Sequence, residues 1–85
     1  MRELFVKKFW DEEKIWFYIY FPNGEAIRQI EINPDGAIFL TLENLQQGDS
    51  MLYDQSLKEL DLQDSDFIKK EEFENIWNSQ ILHQF

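Results

Sequence analysis

The sequence predicts an α+β domain, a four-stranded antiparallel β-meander with a C-terminal α-helix packed on one face. Three observations predict it. Apolar runs in the first half are separated by two legible turns, Asn23-Gly24 and Asn33-Pro34-Asp35-Gly36. No proline- or glycine-rich stretch divides the 85 residues, so residues 1–85 form a single domain. After Lys70 the apolar spacing becomes helical, with Phe73, Ile76 and Trp77 on one side.

The first strand is Leu4 to Trp10, turned back by Asp11-Glu12-Glu13 to lie antiparallel beside Lys14–Phe21; its facing is left open by the pattern. Asn23-Gly24 then predicts a type I′ hairpin, because both residues tolerate positive φ. That turn pairs Pro22 with Glu25, hence Phe17 with Ile30 and Ile15 with Ile32. The second turn reads as a glycine bulge that pairs Asn33 with Ala37, hence Ile32 with Ile38 and Ile30 with Leu40.

The two registers agree on the facing. One face collects Ile15, Phe17, Ile19, Phe21, Ile30, Ile32, Ile38, Leu40 and Leu42, interrupted by Arg28, whose stem can lie over apolar neighbours. The other collects Trp16, Tyr18, Tyr20, Ile27, Gln29, Glu31, Phe39, Thr41 and Glu43. The helix, Lys70 to about Leu82 with Glu71, Glu72 and Glu74 near its positive end, is expected to cover the isoleucine face. Residues 44–66 open as loop at Gln46–Ser50 and continue as an extended strap or a short helix through Leu52, Leu57, Leu60 and Leu62.

Arg28-Gln29-Ile30-Glu31-Ile32, the Asp35-Gly36 turn and the closing stretch Phe67-Ile68-Lys69-Lys70-Glu71-Glu72-Phe73-Glu74-Asn75-Ile76-Trp77 resemble a family of small uncharacterised bacterial domains. That family carries an R-K-I-E-I…D-G hairpin followed by a terminal E-E-F-E-x-x-W helix. The similarity spans roughly residues 4–78. It departs where the family starts its helix with serine and this chain has Lys69, which leaves Asp66 as the expected cap. The resemblance implies an α+β fold, a bacterial origin and an immunity-protein-like role.

Composition excludes several classes of function. Seventeen acidic residues against eight basic ones give a formal charge of −9. A chain of that sign is repelled by nucleic-acid backbones and anionic membranes. The longest apolar run, Ile15 to Phe21, is far too short to cross a bilayer, and no secretory signal opens the chain, so a cytoplasmic location is expected. Without cysteine there is no thiolate nucleophile or disulfide, and His83 near the terminus suits a solvated or capping role better than a catalytic one. No nucleophile elbow, phosphate loop or zinc motif occurs. No catalytic residue, metal ligand or cofactor is assigned, and the chain is read as non-enzymatic.

Binding is the remaining class. The charge is uneven: residues 1–42 hold seven acids and five bases, residues 43–85 ten acids and three bases. A partner-binding surface is expected from the aromatic face, Trp16, Tyr18, Tyr20 and Phe39 edged by Glu31, together with the acidic loop Asp61, Asp64 and Asp66. The expected partner is a basic protein (toxin, nuclease or defence complex) that is neutralised, in the manner of an immunity or antitoxin protein. One alternative is a phage-borne inhibitor of a host defence nuclease complex that mimics nucleic-acid charge. Another is a small-ligand or Ca²⁺-responsive accessory domain, since residues 61–72 place oxygen ligands near EF-hand positions but carry Asp66 where the loop needs glycine. A homodimer that buries the aromatic face is the structural alternative.

Overall fold

A computed structural model describes residues 3–82. Four strands run β1 (Leu4–Trp10), β2 (Ile15–Phe21), β3 (Arg28–Asn33) and β4 (Gly36–Thr41), each antiparallel to the next, and the described residues close with helix α1 (Lys70–Leu82). Between them lie a two-residue ribbon, β5 (Gln46–Gln47) with β6 (Ser50–Met51), and two 3₁₀ turns at Leu57–Glu59 and Asp64–Asp66. The expected α+β class is present, but the sheet has five strands, not four. A short β7 (Phe67–Ile68) pairs with the outer edge of β1, giving the order β4-β3-β2-β1-β7. Two residues between Asp66 and Lys69 are too few to show a period of two in the sequence.

Both hairpin registers differ from expectation by one residue. In the β2–β3 pair Phe17 lies opposite Glu31 and Tyr18 opposite Ile30. The tight turn at Asn23-Gly24 does not form, because its closing position would be Pro22, which has no N–H to donate across the pair. Residues 22–27 instead peel outward: the Ile27 N–H donates to the Tyr20 carbonyl at 3.1 Å, and the Gly24 carbonyl accepts from Leu57 at 2.8 Å. In the β3–β4 pair Asn33 lies opposite Gly36, not Ala37. The Asn33 side chain accepts from the Asp35 N–H at 2.8 Å, closing a two-residue turn and leaving Gly36 (φ +147°) in the strand.

The two slips add to a shift of two residues for β4 against β2, which keeps its facing, and leave β3 alone inverted. Val6, Ile19, Gln29 and Leu40 therefore form one cross-strand row, and Lys7, Tyr18, Ile30 and Phe39 form a row on the opposite face. Gln29 and Glu31 join the aliphatic face, while Arg28, Ile30 and Ile32 join the aromatic one.

The helix covers the face opposite to the one expected. Helix α1 packs on the aromatic face, where Phe73 is fully buried among Phe5, Tyr18 and Ile30, with Ile76 and Trp77 beside it. Large flat rings suit a helix that presents Phe73 and Trp77, and they stack closely: Phe5 on Tyr20 at 4.5 Å, Phe39 edge-on to Trp77 at 4.8 Å. The Arg28 guanidinium lies 4.4 Å from the Trp77 ring centre and forms a two-pronged bond to Glu74 at 2.8 and 3.0 Å. This clamp ties β3 to α1 and holds the Glu74 carboxyl below its ordinary pKa.

Residues 44–62 cross the aliphatic face as an extended strap. Leu52 is buried with Val6, Ile19, Phe21 and Leu40, and Leu57, Leu60 and Leu62 pack against that group. Where β4 ends, Asn44 folds back on the outer edge of the sheet. Asn44 and Thr41 exchange both main-chain hydrogen bonds at 3.1 Å, and the Asn44 amide donates to the Phe39 carbonyl at 3.0 Å.

Candidate functional site

The residues expected to bind a partner fall in three separate places. Tyr18 is buried beneath α1, with Tyr20 and Phe39 half-buried beside it, so they form packing and not an open aromatic row. The Tyr20 hydroxyl donates to the Glu3 carboxylate at 2.6 Å, which raises its pKa above the ordinary phenol value. Glu31 is 5% exposed on the opposite face, beneath the strap. Trp16 alone of the aromatic set remains open, at 38% exposure.

Trp16 belongs to a group the sequence reading missed. At the far end of the β1–β2 hairpin, beyond the reach of α1, Phe9 and Trp10 are 40% and 46% exposed. The register puts Phe9 opposite Trp16 on the aromatic face, their ring centres 5.0 Å apart, and Trp10 opposite Ile15 on the aliphatic face, its ring centre 6.2 Å from that of Phe17. Leu4–Trp10 could not be faced from pattern alone, because Phe5, Val6, Phe9 and Trp10 break the period of two. The usable signal was the Phe9-Trp10 pair immediately before an acidic turn.

That turn is built from Asp11, Glu12, Glu13 and Lys14, all exposed. Lys14 adopts φ +56°, a left-handed conformation needed to return the chain in four residues, and its ammonium meets Asp11 at 2.9 Å. The hairpin's other two lysines are also met by acids. Lys7 lies 3.6 Å from Glu72, and Lys8 bonds Asp66 at 3.0 Å and the Asp61 carbonyl at 2.9 Å. Through Lys8 the 61–66 loop is drawn against β1, close to the aromatic hairpin end.

Within that loop Asp61 and Asp64 are exposed and make no ion pair among the described residues, whereas Asp66 is committed. The Asp66 carboxylate accepts the Gln63 N–H at 2.9 Å and the Lys8 ammonium, and these bonds hold its pKa below the ordinary value. Asp66 thus caps the 3₁₀ turn it closes and not helix α1, which starts at Lys70. The EF-hand-like spacing folds as this turn followed by β7 and the helix. Among the described residues no group of three or more His, Cys, Asp or Glu side chains is placed to hold a metal ion. His83 lies outside the described residues.

No helix among the described residues is long and apolar enough to cross a membrane. In comparisons with family models, curated proteins and solved structures, nothing matches this chain. Function must therefore be read from the surface itself.

Proposed function

We propose that this chain is a non-enzymatic protein-binding domain that neutralises a basic partner, as an immunity or antitoxin protein does, and that it binds through the end of the β1–β2 hairpin and the adjoining 61–66 loop. The observation that carries the reading is the exposure of Phe9, Trp10 and Trp16 together on a fold that places Phe5, Phe21 and Phe73 in its core. Aromatic side chains bury large area with little loss of rotamer freedom, so exposed rings on both faces of one hairpin end, Phe9 with Trp16 on one and Trp10 on the other, support a docking anchor that grips the tip from both sides. The surrounding charge is acidic in net effect. Each hairpin lysine is matched by a carboxylate, which leaves Glu12, Glu13, Asp61 and Asp64 outside any ion pair among the described residues. Such a surface favours basic partners and speeds their encounter.

The test is affinity capture from the source organism's lysate at low and physiological salt, with wild type beside a Trp10→Ala/Trp16→Ala variant. The expected result is one stoichiometric basic protein, weakened by salt and lost with the double variant. Equal capture by the variant removes the hairpin end from the interface. Capture of nothing at either salt overturns the binding reading itself.

A further inference from the structure

The strap does not seal the aliphatic face. Between them lies a cleft of about 760 Å³, within the range of small-molecule sites. Its floor includes Ile15, Phe17 and Ile19, and its roof includes Tyr53, Leu60 and Leu62. Set among these apolar walls is the Glu31 carboxylate, 5% exposed.

The partners of that carboxylate are all neutral. Gln29 Nε2 donates to Oε2 at 2.9 Å and Ser50 Oγ donates to Oε1 at 2.9 Å. A carboxylate offers about four acceptor positions, so each oxygen retains room for a further donor. Among the described residues no cation pairs with Glu31; Lys8, which lines the cleft, is already engaged by Asp66 and the Asp61 carbonyl. A buried carboxylate without a counter-charge is unfavourable, and an arriving cation would relieve it. Glu13 and Asp49 also line the cleft, and neither is in an ion pair among the described residues, so the approach is negative as well.

We propose that this cleft binds a small amphipathic amine, with its ammonium against Glu31 and its hydrocarbon part between the sheet and the strap. The assignment needs no protein partner, and the cleft opens beside the docking surface at the hairpin end, sharing Trp10 and Glu13 with it. An ammonium supplies three donors to the vacant acceptor positions, and an apolar body of one ring matches walls of isoleucine, leucine and aromatic side chains.

The test is a methyl-detected NMR titration of the full chain with 2-phenylethylamine and, as its uncharged counterpart, 2-phenylethanol. The amine is expected to shift the methyl signals of Ile15, Ile19, Leu60 and Leu62 and to bind at least tenfold more tightly than the alcohol. Glu31→Gln should abolish that preference. Because Glu31→Gln could also disturb the Ser50 bond, Leu62→Phe provides a second variant that narrows the cleft without touching the carboxylate, and it should remove amine binding. No shift at millimolar amine, equal affinity for the two compounds, or an undiminished preference in a folded Glu31→Gln variant would each overturn the site. A lysine-rich peptide that displaces the amine and binds more tightly would overturn it in favour of a protein side chain.

Discussion

The two faces of one sheet are closed in different ways. On the aromatic face a regular helix satisfies its own main chain and needs only side-chain contact, so Phe73, Ile76 and Trp77 can settle directly on the rings below. On the aliphatic face an irregular strap arrives with main-chain groups that require partners, and the sheet provides them. Gln29, 2% exposed, accepts the Tyr53 N–H at 2.9 Å and donates to the Met51 carbonyl at 3.2 Å. The difference teaches why β3 buries two polar side chains in the middle of a core: a non-helical cover has to be hydrogen-bonded from beneath. It also explains why the cleft lies on this side, since a strap fastened at a few polar points cannot interdigitate as a helix does.

The contrast can be broken most forcefully at Phe73. Phe73→Ala removes the largest side chain that α1 places in the core and should cost about 3–5 kcal/mol of stability. The loss should be global, read as a lower urea midpoint with every slowly exchanging amide affected. A loss below about 1 kcal/mol would deny the helix side its place as the tighter one. Next in size is Gln29→Leu, which keeps volume but strands the Tyr53 N–H and the Met51 carbonyl, for about 1–3 kcal/mol. Hydrogen exchange should quicken along residues 50–60 while α1 stays protected; uniform quickening would mean that the strap has no separate fastening.

The smallest effect sharpens the helix side and depends on pH. The bond to Arg28 lowers the Glu74 pKa in the folded state, so its contribution is complete above the unfolded carboxylate value near 4.3 and is lost as pH falls through the lower folded value. The gap in urea midpoint between wild type and Glu74→Gln should be constant from pH 7 to about 5 and close below about 4. A gap that persists in acid would assign the clamp's effect to Arg28 stacking on Trp77 and not to charge.

Much of the fold was legible because it rests on local chemistry. The four long strands, the place of the second turn and the α1 helix follow from alternation, Asn33-Pro34-Asp35-Gly36 and the 70–77 spacing. The facing of β3 was not legible, because it depends on one residue of register at each turn. Pro22 lacks the N–H a tight hairpin requires, and Asn33 takes over the turn that Gly36 was expected to shape. Those two residues decided which side chains could reach solvent. Tyr18, Tyr20 and Phe39 did segregate together, but the cover assigned to the other face came to them instead. Glu31 moved from an expected rim to a buried floor for the same reason. The exposure of Phe9 and Trp16 depends on where the helix stops covering one face, and that of Trp10 on where the strap stops covering the other, tertiary facts that the local pattern does not fix.

Asn44 has a consequence of another kind. β4 is an outer strand, Gly36-Ala37-Ile38-Phe39-Leu40-Thr41, without a charged residue or a proline to discourage other chains from adding to it. By occupying the Phe39 carbonyl and both main-chain groups of Thr41, Asn44 shortens the length of edge on which a foreign strand could grow. A two-residue reversal after the strand thus does the work of a gatekeeper, separating a sheet that ends from one that could polymerise.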